Sequence, residues 1–198
     1  WHVLQDAEGL IDALGGKKAA FSLIEDLFDT VKAFTDNRNA TGLWGGSAHG
    51  NEPVHHVPYL LTLCGRHDLA AKRIRGICER FYRNAPDGLC GNEDHGEMSA
   101  WYVFACLGFY PVCPASDWYA LGSPCVPGLK VKLSDGGVLE MTTQGWSPES
   151  VYVKEVYLNG VRLAEPRITY DDIKDGAHLH FVMSRKPVKK AYRLIMSI

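Results

Sequence analysis

The first part of the chain carries hydrophobic residues at helical spacing. Apolar residues recur three and four positions apart from residue 7 to about residue 14, and Gly15-Gly16 then permits the left-handed conformation that ends many helices. A second helix is predicted directly afterwards, since charged residues lie opposite a continuing apolar stripe. The stripe comprises Phe21, Ile24, Leu27, Phe28, Val31 and Phe34. The two patterns together predict a helical hairpin that buries one face.

Two more helices follow a polar loop. Residues 37–52 are rich in Gly, Asn and Ser, which predicts a loop, and Pro53 suits the first turn of a third helix that runs to Gly65. The spacing of apolar residues over 68–82 predicts a fourth helix, and its basic residues are typical of a solvated face.

The pattern changes from helical to alternating beyond a second polar loop. Residues 84–97 form this loop, and an apolar helix over 98–107 ends at Gly108. Short runs rich in β-branched residues then predict strands over 129–133, 138–143, 151–158, 179–183 and 192–198, separated by turn signals such as Asp135-Gly136-Gly137 and Asn159-Gly160. We therefore predict an α+β fold of helical hairpins followed by antiparallel β-strands, with a helical part at 1–112 and a β-rich segment at 113–198.

Composition narrows the class of protein. The 198 residues carry a formal charge of −2, and no apolar run approaches the roughly 20 residues that a membrane helix needs. This balance predicts neither a membrane span nor a nucleic-acid partner. The six cysteines lack paired C-x-x-C spacing, which favours buried free thiols and leaves one or two disulfides as the alternative. Asn39-Ala40-Thr41 is a candidate glycosylation triplet, and Trp1 begins in the middle of structured sequence, as in a piece of a larger protein.

Both polar loops concentrate carboxylates, amides and imidazoles at the start of a helix, at residues 49–56 and 91–96. Up-and-down helices bring alternate connections to the same end of the stack, so we expect the two loops to converge on one pocket. Carboxylates there suit proton transfer or the binding of a hard cation. The alternative is that the polar residues only cap helices.

Other chemistries fit these loops less well. The imidazoles near the carboxylates could bind a transition metal, but their spacing matches no zinc motif; they are His49, His55, His56 and His95. The G-x-S-x-G elbow of serine hydrolases and the phosphate-binding P-loop are absent from the sequence. Aromatic residues beside the loops could stack on a sugar or simply fill the core; they are Trp44, Tyr59, Trp101, Tyr102, Trp118 and Tyr119.

The two loops and the helices that follow them carry a family resemblance. The matching segments are residues 50–53 with His55-His56 and Tyr59-Leu60, residues 87–94 with Gly96, and the runs over 98–104 and 107–111. The match extends to residues 9–12 with Gly15-Gly16, to 121–124 and to 158–160. With these residues the chain resembles glycoside hydrolase family 92, the calcium-dependent exo-acting α-mannosidases.

The resemblance implies an architecture and an activity. Residues 1–112 would be the closing part of an (α/α)6 toroid, and residues 113–198 the C-terminal β segment that packs toward an N-terminal β-sandwich. The activity implied is calcium-dependent removal of terminal α-linked mannose with inversion, commonly from the α-1,2 linkages of N-glycans. Enzymes that degrade such mannose-containing glycans are usually secreted or periplasmic.

The resemblance also implies roles for residues of the two loops. Asp94 would activate water, with Glu93 as second choice or partner. The mannose ligands would be Asn51, Glu52, His55 and Asn92, and Asn51 and Asp94 would lie in the calcium shell. The general acid of the family precedes a segment that Trp1-His2-Val3-Leu4-Gln5-Asp6 matches loosely, and so falls upstream of Trp1. We therefore expect no mannosidase activity from these 198 residues alone.

Two further functions remain open on the sequence. One is a carbohydrate-binding remnant that keeps the rim of the pocket without turnover. The other is a purely structural α+β domain whose polar loops cap helices.

Overall fold

The computed structural model of the chain describes residues 1–30, 40–188 and 192. Helices α1 (Ala7–Ala13) and α2 (Lys17–Asp29) form the predicted hairpin. The Asp6 carboxylate caps α1 by accepting the Gly9 N–H at 2.8 Å, and Gly15 and Gly16 turn the chain with φ of +95° and +87°. The end of the predicted stripe, at Val31 and Phe34, and the Asn39 triplet's first residue lie outside the described residues.

The next helices are α3 (Val57–Leu63), α4 (His67–Phe81) and α5 (Glu97–Leu107). The third helix starts later than predicted, because Pro53 lies in a separate 3-10 turn, Glu52–Val54, and Pro58 takes the first turn of α3 instead. Gly108 ends α5 in the left-handed conformation at φ +85°, as the sequence predicts.

The helices pack around a first hydrophobic cluster. Ile24 of α2, Leu60 of α3 and Ile74 of α4 are buried there together with Trp101 of α5. Removing each aliphatic side chain from water contributes about 1.5–3 kcal/mol. This cluster fixes the ends of the helices from which the two polar loops depart.

Within residues 1–30, 40–188 and 192, the strands form three sheets. In chain order they are β1 (Leu43–Trp44), β2 (Ser47–Ala48), β3 (Phe109–Tyr110), β4 (Trp118–Leu121), β5 (Gly128–Lys132), β6 (Val138–Gln144), β7 (Tyr152–Leu158), β8 (Val161–Arg162), β9 (Arg167–Thr169) and β10 (Ala177–Ser184). Strands β1 and β2 form a hairpin inside the first polar loop, β3-β4-β9 form a small sheet, and β5-β6-β10-β7-β8 form the main one. A short helix, α6 (Tyr170–Ile173), follows β9.

One pairing corrects the expectation of antiparallel strands. Strand β10 pairs with β7 antiparallel but with β6 parallel, so the main sheet is mixed. A parallel pair needs a long crossover, and the elements β7, β8, β9 and α6 lie between β6 and β10. The predicted hairpin turns are found, and Asn159 and Gly160 have φ of +49° and +81° in the turn between β7 and β8.

The strand predictions 129–133, 138–143, 151–158 and 179–183 fall within two residues of β5, β6, β7 and β10. Of the predicted strand at 192–198, only Tyr192 is described, and it is buried. Strands β3, β4 and β9 were not predicted, because each has only two to four residues.

A second hydrophobic cluster joins the main sheet to the end of α5. Leu107 and Phe109 belong to it, together with Phe181 of β10, whereas Cys113 and Ala120 belong to the first cluster. A Cβ at Gly108 would lie 2.6 Å from the Phe181 ring, so only glycine allows this approach. Residues 107–120 thus contribute to both clusters. The division of the chain into a helical part at 1–112 and a β-rich segment at 113–198 stays a prediction.

Within the described residues, no helix combines the length and apolar character needed to cross a membrane. All six cysteines are unbonded in the structure, four of them buried and two half-buried. Each close sulfur contact among the six involves Cys125, and the Sγ atoms of Cys78 and Cys125 are 2.7 Å apart.

Candidate active site

The two polar loops meet through glycine backbone. A Cβ at Gly91 would lie 2.6 Å from the carbonyl oxygen of Gly50, so the two segments are in direct backbone contact. The Gly50 N–H also donates to the Thr41 carbonyl at 3.1 Å, which ties the first loop to its own hairpin. The loops therefore meet, as expected, but the cavity beside them is lined by the first loop and by Glu97, and none of residues 91–96, including Glu93 and Asp94, lines it.

The second loop presents Asp94 from an unusual turn. Asp94, His95 and Gly96 have successive φ values of +50°, +58° and +95°. Asp and His enter this left-handed region more readily than most residues, but such conformations still cost on the order of 1–3 kcal/mol each. The turn leads directly into α5 and leaves the Asp94 side chain exposed.

Glu93 holds this turn from behind. One carboxylate oxygen accepts the Ser99 backbone N–H at 3.1 Å, and the other accepts the Ser99 hydroxyl at 2.9 Å. Glu93 thereby satisfies a free donor in the first turn of α5 and closes the loop onto the helix. Both of its oxygens are engaged, whereas Asp94 projects toward the first loop.

The carboxyl groups of Glu52 and Asp94 are joined by a hydrogen bond. A hydrogen bond from its own backbone N–H, and then the bond from Asp94, hold the pKa of Glu52 below its usual range. The bond to Glu52 raises the pKa of Asp94, and repulsion from the Glu52 charge raises it further. At a pH between these two pKa values, the pair therefore holds one proton on the Asp94 side, next to an ionised Glu52.

Glu52 and Glu97 line a cavity of about 240 Å³ beside this pair. Its walls are His2, Leu4, Glu52, Pro53, His56, Glu97, Tyr110, Pro111 and Pro114. His56 Nε2 lies 2.9 Å from the Trp1 carbonyl oxygen, which attaches the N-terminal segment to the cavity. The cavity thus combines carboxylates with an aromatic ring and prolines, a mixture of polar and apolar groups typical of ligand pockets.

His55 lies behind the cavity. Its side chain is 1% exposed, its Nε2 donates to the His49 carbonyl at 3.0 Å, and its Nδ1 is 3.6 Å from Glu97 Oε1. The Trp101 indole N–H donates to the His55 carbonyl at 2.9 Å. A side chain buried in this way supports Glu97 and the first loop from within the protein.

His49 is buried in an aromatic cluster. Its Nε2 lies 2.8 Å from the Tyr82 hydroxyl, and its ring makes an edge contact with Trp101 at 4.4 Å between centroids. Burial, and then the neighbouring His55, lowers the pKa of His49 to about 2, so this imidazole is neutral. Tyr59 and Trp101 are likewise buried in the core, while Tyr110 is the aromatic residue at the cavity wall.

The remaining predicted site residues are exposed on the loops. Asn51 directly precedes Glu52, and Asn92 lies in the second loop, but neither lines the cavity. Among the described residues, no group of three or more His, Cys, Asp or Glu side chains is arranged to hold a metal ion. Side-chain oxygens from these loops can therefore supply only part of a calcium shell.

Sequence reasoning missed Glu97, Tyr110 and His2 as cavity residues. Glu97 is in the first turn of α5, where an acidic residue reads as favourable charge at the helix N-terminus. Tyr110 belongs to a two-residue strand and His2 to the N-terminal segment. The nearest signal was the run His95-Gly96-Glu97, because a glycine before a helix permits a left-handed turn there.

Comparison with known proteins places these loops in context. A sequence model of the glycosyl hydrolase family 92 catalytic domain matches residues 1–185. A secreted glycosidase of Arthroderma benhamiae, described as uncharacterized, is 24% identical over 189 residues, which are 94% of this chain and 23% of the relative.

Solved structures show the same fold. The family GH92 α-mannosidase of Bacteroides thetaiotaomicron in complex with mannoimidazole is 45% identical, with a TM-score of 0.90 over 96% of this chain and 25% of that chain. The family GH92 inverting mannosidase from Bacteroides thetaiotaomicron VPI-5482 is 30% identical, with a TM-score of 0.82 over 96% of this chain and 27% of that chain. The chain therefore spans about a quarter of the length of these relatives.

Proposed function

We propose that the chain, which belongs to glycosyl hydrolase family 92, is part of an enzyme that removes terminal α-linked mannose with inversion. The observation that carries the proposal is the hydrogen-bonded carboxyl pair of Glu52 and Asp94, which joins two converging loops beside a cavity. The α-1,2 linkages of N-glycans are the proposed substrate bonds. Mannose-containing glycans are accordingly its proposed partners.

Asp94 is the proposed base. Its raised pKa makes the ionised form a stronger proton acceptor toward water, and its exposed position allows water to reach it. Glu93, with both oxygens on Ser99, would hold the Asp94 turn in place. Glu52, Asn51 and Asn92 would then bind mannose hydroxyls, and His55 would support the site from behind.

Glu52 is too close to Asp94 to be the general acid. An inverting enzyme separates its acid and base by roughly 6.5–9.5 Å to leave room for water, whereas hydrogen-bonded carboxyl oxygens lie about 2.5–3.0 Å apart. We therefore propose that the acid is a different residue of a larger enzyme. In that enzyme α1–α5 would form part of an (α/α)6 toroid completed by an N-terminal β-sandwich part.

Calcium is the proposed cofactor. Asn51 and Asp94 offer an amide and a carboxylate oxygen, the donors that calcium prefers, while its usual six to eight ligands require further oxygens from backbone, water or sugar. Bound there, the ion would help to hold the sugar ring in a distorted shape. Secretion or export to the periplasm is proposed from the relative that is described as secreted.

The test is an assay of the enzyme encoded by the complete reading frame around these residues. With α-1,2-mannobiose and calcium, we expect release of mannose with inverted anomeric configuration, and EDTA should abolish it. Failure to release mannose, or release that EDTA leaves unchanged, would contradict the proposed activity or its metal dependence respectively.

Binding without turnover is the second candidate for the 198 residues by themselves. It is favoured by the cavity beside Glu52 and Asp94, because neither of these two carboxyl groups is the proposed general acid. If this is correct, calorimetric titration of the chain with mannose and calcium should give heat, and incubation with α-1,2-mannobiose should release no mannose. If neither heat nor hydrolysis is detected, binding is contradicted and the chain by itself is a structural domain.

A further inference from the structure

Two cysteines from distant parts of the chain are in contact. Cys78 lies near the end of α4, and Cys125, 47 residues further along the chain, follows β4. Their Sγ atoms are 2.7 Å apart. Non-bonded carbon atoms rest at about 3.5–4.0 Å, and sulfur is larger than carbon, so these atoms are closer than two independent groups would settle.

The backbone on both sides of this contact is held in place. Arg75, one turn before Cys78 on α4, is 3% exposed and donates to the Pro124 carbonyl at 3.0 Å and the Pro148 carbonyl at 3.2 Å. The Ser123 hydroxyl donates to the Val151 carbonyl at 2.7 Å. Because Arg75 binds the residue next to Cys125, α4 and the segment that follows β4 are fixed relative to each other.

A third thiol lies beside the pair. Cys106 of α5 is in hydrogen-bond contact with Cys125 and also with Tyr102. Cys64, Cys90 and Cys113 have no sulfur partner among the described residues. The choice of bonding partners for Cys125 is therefore between Cys78 and Cys106.

We propose that Cys78 and Cys125 form a disulfide bond and that Cys106 stays a thiol. In the reaction each thiol loses a proton, the S–S bond forms, and two electrons pass to the disulfide of a thiol oxidoreductase or of oxidised glutathione, which becomes two thiols. Cys78 is favoured over Cys106 because Arg75 locks its helix onto the residue preceding Cys125, whereas Tyr102 engages the Cys106 sulfur.

The Cys125 thiol is a weak nucleophile in the folded chain. Its pKa is raised well above the usual range, chiefly by burial, so little of it is thiolate. The bond ties α4, which ends next to Tyr82 and the aromatic cluster around His49, to the segment that enters the main sheet.

The direct test maps the disulfides of the full chain, folded with oxidised glutathione and then denatured and alkylated without reduction. Trypsin leaves four cysteines in the peptide 84–130, namely Cys90, Cys106, Cys113 and Cys125, so a second digestion with chymotrypsin must separate them. We expect one cross-linked peptide pair that contains Cys78 and Cys125, lighter by two hydrogen atoms than the reduced pair, and an alkylated Cys106. Full alkylation of all cysteines, or a cross-link that includes Cys106, would overturn the proposal.

Variants give a second readout. Reduction should lower the thermal unfolding midpoint of the oxidised wild type, and it should have no such effect on Cys78→Ala or Cys125→Ala. Cys64→Ala is the matched control, since Cys64 is buried in the same cluster without a neighbouring sulfur, and it should keep both the cross-link and the reductant effect. A reductant effect that persists in Cys125→Ala would contradict the assignment.

Discussion

At the scale of single residues, the site depends on a shared proton. Glu52 is ionised and Asp94 carries the proton over the pH range between the lowered pKa of the first and the raised pKa of the second. Below that range Glu52 also takes up a proton, and above it Asp94 loses its proton, so the bond between them weakens on both sides. Because a general base must be ionised, activity that depends on Asp94 should rise as the pH passes the raised pKa of Asp94.

The dependence of Asp94 on Glu52 can be measured directly. In Glu52→Gln the neighbouring charge is removed and the new amide can donate to the Asp94 carboxylate, so the pKa of Asp94 should fall toward its ordinary range. NMR titration of the Asp94 carboxyl carbon measures this shift. The control is Asp135→Asn, a change at an exposed turn between β5 and β6, which should leave the titration where it is in the wild type. An unchanged Asp94 titration in Glu52→Gln would contradict the pairing.

Buried His49 predicts how stability depends on pH. Its pKa is lowered in the folded state to about 2, so the unfolded chain binds an extra proton as the pH falls below the ordinary histidine value. Each proton contributes up to about 1.4 kcal/mol per pH unit, so we expect this residue to remove about 2 kcal/mol of stability between about pH 7 and pH 5.

Denaturant unfolding at several pH values tests this expectation. His49→Gln has a lower stability at neutral pH, because the contacts in the aromatic cluster change, but its stability should fall less steeply toward low pH. Equal slopes for the two proteins would show that His49 does not bind the extra proton on unfolding.

At the scale of elements, α5 begins where the site is formed. Glu93 caps its first turn through Ser99, and the loss of such a cap costs about 0.5–2 kcal/mol. Glu93→Ala should lower the free energy of unfolding by this amount and raise amide exchange in the first turn of α5. Exposed Glu165, which lies outside the helices, provides the control in Glu165→Ala, with little change expected. Slow amide exchange at Ser99 in Glu93→Ala would argue against the capping role.

Helix periodicity in the sequence predicted α1 to α5, because apolar stripes and glycine stops act locally. The start of α3 was misplaced because Pro53 and Pro58 both fit a first helical turn, and only packing selects between them. The parallel pairing of β6 with β10 was missed because it depends on contacts between distant segments.

The sequence predicted the candidate site only in part. The meeting of the two loops followed from helix topology, but its closeness depends on Gly50 and Gly91, whose contact no local pattern reveals. The place of Glu97 in the cavity follows from the left-handed turn before α5, which the sequence only hints at.

At the scale of the whole molecule, helix α5 connects the two hydrophobic clusters. Helix α5 starts at the carboxyl pair, passes through the first hydrophobic cluster at Trp101, and ends in the second at Leu107. The loops of the site are therefore anchored on both clusters. The chain spans about a quarter of the length of the solved relatives, and the proposal is that it supplies the base of a larger enzyme.

The most direct test of the central claim is kcat of the complete enzyme on α-1,2-mannobiose with Asp94→Asn. If Asp94 activates water, kcat should fall by about 10²–10⁴-fold, while Asp135→Asn keeps the wild-type rate. An Asp94→Asn enzyme that turns over as fast as Asp135→Asn would contradict the claim that the two loops meet to place a base beside the sugar.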